Sequence, residues 1–79
     1  MKYDRDKIDD AVLALLHLTS FDDRGVTRAW KSHAWEVLHR LHERGLISDP
    51  KSKAKSVIVT AEGVKRSGTL FRELFGESG

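Results

Sequence analysis

The residues best suited to a chemical task are cations in the middle of the chain. Lys51, Lys53 and Lys55 alternate with small residues in the stretch Lys51-Ser52-Lys53-Ala54-Lys55. Side chains alternate between two faces of an extended strand, so these ammonium groups would share one face and could follow a row of phosphates. Lysines also protect exposed strand edges against aggregation, and that alternative stays open.

Two arginines predict a second cationic surface. Arg40 and Arg44 are one helical turn apart and point in the same direction, which suits contacts to phosphate or guanine. Glu36 precedes Arg40 by four residues, so an ion pair within the helix is an equally good interpretation.

Other chemistry finds little support. His39 and His42 are three residues apart and could share a zinc ion, but histidines this close on a charged helix are mostly surface residues. The chain has no Ser-His-Asp signature, no glycine-rich phosphate loop and no carboxylate pair in an identifiable cleft. We therefore expect no enzyme, no metal, no cofactor and no small-molecule substrate.

The tryptophans are the most informative aromatic residues. We expect Trp30 and Trp35 to be buried, because a small core needs such large side chains. The alternative is that one is exposed beside Arg28 and Lys31, where it could stack on a base or fill a pocket of a partner.

Length and composition allow one domain, residues 1–79, without cysteine, so dimerisation is the remaining way to stabilise it. Net charge is +2, but residues 1–23 carry 3 Lys/Arg against 6 acids and residues 24–55 carry 8 against 3. This basic middle segment favours a polyanionic partner. No signal-peptide core follows the N-terminus, and the longest apolar run, residues 11–16, is too short for a membrane span, so we expect a cytoplasmic protein.

The elements that position these residues begin with a helix capped by Asp4 or Asp6. Leu13 lies outside its apolar stripe, so the helix is either covered on two sides within the monomer or buries a second side against a partner. The stripe that we expect to face the core is Ile8, Ala11, Val12, Leu15 and Leu16.

The next segment is harder to interpret. Residues 19–25 have the composition of a loop, with Phe21 as an anchor. Residues 27–44 are either one helix, or a short strand over residues 26–31 followed by a helix that Ser32 caps and His33 begins. We prefer the strand because Val, Thr and Trp favour extended backbone. Gly45 is placed to end the helix in the left-handed conformation.

The last third predicts a hairpin and a helix. Residues 49–53 have turn chemistry, and the β-branched residues 56–60 form a strand. Thr60 caps the final helix, and residues 76–79 form a frayed tail. The apolar face of this helix is expected to comprise Val64, Phe71, Leu74 and Phe75, flanked by Leu70, with Ser67 and Gly68 allowing close approach.

Two resemblances follow from these motifs. Leu38-x-x-Leu41-x-x-x-Gly45-Leu46-Ile47 followed by Val59-Thr60-Ala61-Glu62-Gly63 resembles winged helix-turn-helix regulators of the multiple-antibiotic-resistance and phenolic-acid-repressor types. The stretch Arg28-Ala29-Trp30-Lys31 is similar to one in a family of small uncharacterised bacterial proteins. The fold class expected is α+β, a minimal winged helix of three helices with a two- or three-stranded antiparallel β-wing.

The winged-helix resemblance implies a function. The helix before Gly45 would enter the major groove of duplex DNA, and the hairpin would lie along its backbone, in a small homodimeric regulator of transcription. The alternative is a protein-interaction module of the same fold. The resemblance places Lys31, His33, Glu36, His39, Arg40, Glu43 and Arg44 towards the groove, and the lysines at 51, 53 and 55 on the wing. We expect Lys31, Arg40, Arg44, Lys51, Lys53 and Lys55 to bind nucleic acid.

Overall fold

The fold is α+β, with three helices and a three-stranded antiparallel sheet, as expected, and it is compatible with a minimal winged helix. A computed structural model describes residues 2–77, so part of the predicted tail, residues 78 and 79, lies outside the described residues. The elements in chain order are α1 (Arg5–Leu18), β1 (Phe21–Asp23), β2 (Val26–Trp30), α2 (Trp35–Glu43), β3 (Ser56–Ile58) and α3 (Ala61–Phe75).

α1 begins as predicted but is rotated relative to the predicted core face. The Asp4 carboxylate accepts a hydrogen bond from the Lys7 amide and caps the helix. Leu13 is fully buried, whereas Ile8 and Leu15 are each 37% exposed. The predicted stripe was therefore wrong for Ile8 and Leu15, and Leu13 is covered within the monomer.

β1 and β2 form a tight hairpin where a loop was predicted. Arg24 and Gly25 both have positive φ angles, 55° and 84°, which is the geometry of a two-residue turn that matches the twist of its strands. Phe21 pairs with Arg28 across this hairpin, and Arg28 pairs with Ile58 on its other side. The sheet order is therefore β1-β2-β3.

The strand-then-helix interpretation of residues 26–44 is confirmed, with a later helix start. α2 begins at Trp35 after an Ala34 cap that makes no side-chain hydrogen bond, so the predicted cap at Ser32 was wrong. Arg44 follows the helix, and Gly45 has a φ angle of 75°, the predicted left-handed end. In the described part of the chain, β2 occupies the place where a helix-turn-helix unit would have its second helix.

A short bridge leads from α2 back to the sheet. Ile47 pairs antiparallel with Val59, just beyond β3. Residues 48–58, which include β3, form the connection between these two paired residues. Thr60 caps α3 by accepting a hydrogen bond from the Gly63 amide, as predicted. Its hydroxyl also donates to the Gly45 carbonyl, which ties the start of α3 to the end of α2.

The core lies between the three helices and one face of the sheet. α3 contributes Leu70 and the small residues Ser67 and Gly68, whereas Val64, Leu74 and Phe75 are 40–51% exposed, so much of its predicted apolar face is not core. The buried apolar residues are Leu13, Ala14, Leu16, Ala29, Val37, Leu38, Leu41, Leu46, Ile47, Val57, Val59 and Leu70. Among residues 2–77, none of the helices combines the length and apolar character needed to cross a membrane.

Candidate nucleic-acid interface

The lysine loop, residues 49–55, is built from turns and bends, so the predicted extended arm with three lysines on one face was wrong. The Asp49 carboxylate accepts a hydrogen bond from the Lys51 amide, which starts the turn. Pro50 is buried, and the loop leaves the sheet where the Lys31 amide donates to the Lys55 carbonyl. The loop is thus folded against the end of β2.

Lys31 holds this loop from beneath. Its ammonium group donates to the carbonyl oxygens of Pro50, at 2.8 Å, and Ser52, at 2.7 Å. A longer bond of 3.4 Å to the Ser52 hydroxyl brings the number of acceptors to three, which matches the three N–H groups of the ammonium. Lys31 was expected to contact nucleic acid directly, and its contacts indicate instead that it supports the loop.

Lys51, Lys53 and Lys55 are exposed. Within residues 2–77, their ammonium groups take part in none of the side-chain hydrogen bonds or ion pairs. A loop of three unpaired cations on an ordered backbone is suited to phosphate contact, because the ligand would not have to displace a carboxylate.

Arg40, in contrast, is paired inside the molecule. Its guanidinium forms two parallel hydrogen bonds of 2.7 Å with the carboxylate of Asp9, which is 1% exposed. The hydrogen bond with Asp9 raises the pKa of Arg40 above its usual value. The Arg40 side chain therefore links α2 to α1. Its observed partner is Asp9, not Glu36, and DNA would have to compete with that carboxylate.

Arg44 also faces α1. Its guanidinium lies 3.7 Å from Asp10 Oδ1, and Arg66 of α3 approaches the same oxygen at 3.9 Å. This oxygen is buried, and among the described residues it has no partner at hydrogen-bond distance, so both arginines neutralise it by charge alone. Two neighbouring aspartates of α1 therefore bind arginines of both other helices.

The outward face of α2 carries three of the remaining predicted groove residues, whereas His33 precedes the helix and is half-buried. Glu36, His39 and Glu43 are exposed, and His39 Nε2 lies 3.2 Å from Glu43 Oε1. Trp35 is 47% exposed and stacks on the His39 ring, with centroids 6.0 Å apart. The outward side of this helix thus presents carboxylates, while Arg40 and Arg44 lie beside aspartates of α1, which opposes entry into a DNA groove.

The two histidines considered as a zinc pair have separate partners. His39 lies beside Glu43, whereas His42 Nδ1 is 3.0 Å from the Ile47 carbonyl and donates to it when that nitrogen carries the proton. In the part of the chain that the structure describes, His, Asp and Glu side chains do not converge in groups of three or more.

Two aromatic side chains lie together on the sheet, although Trp30 was predicted in the core and Phe21 in a loop. Trp30 is 52% exposed, so its predicted burial was wrong, as was that of Trp35. The Phe21 ring lies 5.1 Å from that of Trp30. The arrangement follows from the hairpin, and its signal was Arg24-Gly25 between two short segments that can pair.

Comparisons with known proteins place the chain in a family. Residues 4–77 match the family described as Domain of unknown function (DUF6429). The Uncharacterized protein y4hR of Sinorhizobium fredii (strain NBRC 101917 / NGR234) is 57% identical over 75 residues, which cover 95% of this chain and 97% of that protein. No solved structure matches. The predicted resemblance to small uncharacterised bacterial proteins is thereby confirmed, and the chain belongs to the DUF6429 family.

Proposed function

We propose that this protein binds duplex DNA through the phosphate backbone, with Lys51, Lys53 and Lys55 as the contacting residues. The observation that carries the proposal is the lysine loop itself: three exposed ammonium groups, unpaired among residues 2–77, on a backbone that Lys31 holds in place. An ordered array of cations binds a polyanion with a smaller loss of conformational entropy than a disordered one.

The proposal assigns a supporting role to the other three predicted contacts. Arg40 and Arg44 join α2 to α1 through Asp9 and Asp10, and Lys31 joins β2 to the lysine loop. DNA recognition through α2 would require these arginines to leave their carboxylates and the outward glutamates to face phosphates. The loop needs neither change, so contacts to the backbone rather than to base edges are the proposed mode.

A winged-helix origin is part of the proposal. α2, the Ile47–Val59 bridge and the lysine loop occur in the order that the resemblance assigns to a recognition helix and its wing. A regulator of transcription in the cytoplasm is the corresponding biological role. Contacts limited to phosphates would give it affinity for DNA with little preference for sequence.

Fluorescence anisotropy with a labelled duplex at low ionic strength tests the proposal. The test variant replaces Lys51, Lys53 and Lys55 by glutamine, and the matched control replaces Lys2, Lys7 and Lys65. Both change the net charge from +2 to −1, that is, 2 − 3 = −1. We expect the loop variant to bind every duplex sequence much more weakly than the control variant does. Equal affinities of the two variants for the duplex, or a wild-type protein that does not bind it, would overturn the proposal.

A second candidate function, protein association, is favoured by the outer side of α1. Ile8, Ala11, Leu15 and Leu18 recur at helical spacing on the side opposite the buried Leu13, and Leu18 is 62% exposed. A continuous apolar stripe of this kind is typical of a protein-binding surface, including that of a homodimer.

Sedimentation of the wild type and of a Leu15→Lys/Leu18→Lys variant tests this candidate. A dimer that the two lysines dissociate, with the helical content unchanged, supports it. A wild-type protein that stays monomeric at high concentration contradicts the homodimer.

A further inference from the structure

The outer face of the sheet lies beside the lysine loop and carries aromatic side chains. Ala29 and Val57 are fully buried on the inner face, so the alternation of the strands places Arg28 and Trp30 on the outer face. Phe21, opposite Arg28, lies on the same face, and the centroid of its ring is 5.1 Å from that of the Trp30 ring. Val26 and Ile58 are each 38% exposed there.

The pairing of β2 with β3 places the backbone of the lysine loop next to Trp30. Trp30 pairs with Ser56, and the next residues along the two strands are joined by the 3.0 Å bond from the Lys31 amide to the Lys55 carbonyl. The half-exposed indole is therefore one residue from the end of the lysine loop.

The charges around the rings favour an anionic occupant. The Arg28 guanidinium lies across the sheet, donating to the hydroxyl and the carbonyl of Ser56, and remains a cation beside the aromatic pair. Among the described strand residues, the carboxylate on this face is Asp23, opposite Val26. Val26 is four residues from Trp30, so this acid lies about 13 Å along the strand, away from the lysine loop. Asp49 begins the lysine loop, where its carboxylate accepts a hydrogen bond from the Lys51 amide.

We infer that the outer sheet face is a stacking site for unpaired bases, which Trp30 and Phe21 hold while Lys51, Lys53 and Lys55 contact the adjoining phosphates. Exposed aromatic rings next to a cationic track are the combination that binds single-stranded nucleic acid, because every base offers a π-face. This inference rests on the proposed phosphate contacts of the lysine loop. In addition to duplex DNA, the protein would bind single strands, whose phosphates contact the lysine loop and whose bases stack on the sheet.

The test measures binding of oligothymidylate, of a duplex of equal length and of an abasic strand that has the same phosphates but no bases. The variants of the full chain are Trp30→Ala and, as a matched control, Trp35→Ala, which removes the other half-exposed indole from α2. A Trp35→Phe variant leaves Trp30 as the only tryptophan of the chain, so fluorescence quenching reports on that ring directly.

We expect Trp30→Ala to weaken oligothymidylate binding between about 5-fold and about 150-fold, the range of one lost base–aromatic stack. Binding of the duplex and of the abasic strand should change little, and Trp35→Ala should resemble the wild type. Oligothymidylate should quench Trp30, and the abasic strand should not. Phe21→Leu provides a second variant with the same expected direction if Trp30→Ala loses its helical content.

Four results would overturn the inference. Equal affinity of the wild type for oligothymidylate and the abasic strand would show that bases are not bound. Unchanged affinity in Trp30→Ala, with salt-dependent duplex binding intact, would refute the stacking site and leave the proposed function standing. Self-association that Trp30→Ala abolishes, without an effect on nucleic acid, would assign the face to a second copy of the chain. Absence of binding to all three probes would refute the proposed function as well.

Discussion

The orientation of α1, which buries Leu13 and exposes Leu15, leads to a prediction about these two leucines. Leu13 is fully buried and Leu15 is 37% exposed, although both lie in the same apolar run of the same helix. Leu→Ala at a buried site removes the transfer free energy of the side chain and leaves a cavity, at a cost of about 2.7–5 kcal/mol. At Leu15 the neighbours enclose less of the side chain and water can fill the space, so we expect a loss below about 1 kcal/mol.

These values are large compared with the stability of so small a domain. About 0.05–0.15 kcal/mol per residue gives a free energy of unfolding of about 4–12 kcal/mol for 79 residues. A loss of about 3 kcal/mol at Leu13 would lower Tm by about 12 °C or more. Leu13→Ala is therefore expected to be marginally folded, while Leu15→Ala should melt close to the wild type.

Urea unfolding followed by circular dichroism provides the comparison, with the two variants serving as controls for each other. Both lose the same atoms and gain the same helix propensity, so these contributions cancel. The midpoint should fall strongly for Leu13→Ala alone, with an unchanged m value. Equal losses at both positions, or a larger loss at Leu15, would refute the orientation of α1 described above.

Four further variants test other contacts. Gly63→Ala should destabilise the fold by about 1–3 kcal/mol, because its Cβ would collide with the Leu46 carbonyl oxygen and lie 2.9 Å from Val59 Cγ1; Gly68→Ala, whose Cβ would be 3.6 Å from the His17 ring, should stabilise it by up to about 1 kcal/mol, and thermal melts of the pair provide the check. Lys31→Met should accelerate amide hydrogen exchange in residues 50–55 while the helices stay protected, since Pro50 and Ser52 lose the ammonium donor; unchanged exchange would contradict the supporting role of Lys31. Asp9→Asn should lower the urea midpoint, because the amide cannot accept both bonds from Arg40. Since the pKa of Arg40 is raised, its contribution to stability is complete below the usual arginine pKa and is lost only above the raised pKa, so mildly alkaline pH should leave the wild-type midpoint unchanged.

Local signals in the sequence predicted much of the fold. Asp4, Thr60 and Gly45 act through their own or adjacent backbone, so their roles as caps and as the end of α2 could be identified without tertiary information. The preference for a strand before α2 was correct for the same reason, since β-branched and aromatic residues favour extended backbone.

The orientation of α1 could not be predicted, because its buried stripe includes a carboxylate. Asp9, Leu13 and Leu16 are spaced as one helical face, and hydrophobic periodicity excludes the aspartate that Arg40 neutralises from 31 positions away. Ion pairs of this kind also change the meaning of the uneven charge along the chain. Part of the positive charge in the middle segment is bound by the acids of α1, so it is not all available to a polyanion.

The candidate site was only partly readable from the chain. The three lysines are exposed and the turn at residues 49–53 is present, both as expected, but the extended arm was wrong because bends continue to Lys55. Lys31, just after β2, stabilises this turn from a distant part of the chain. The exposure of Trp30 depends on which face of β2 meets the helices. A five-residue strand does not reveal that choice before its partners are known.

The salt dependence of duplex binding shows whether the lysine loop contacts phosphates. If the ammonium groups of Lys51, Lys53 and Lys55 each neutralise one phosphate, replacing all three by glutamine should reduce the slope of log K against log salt concentration by about 2.7, at about 0.9 for each contact. The control replacing Lys2, Lys7 and Lys65 should keep the wild-type slope. Identical slopes for the loop variant and the wild type would contradict phosphate binding by the lysine loop.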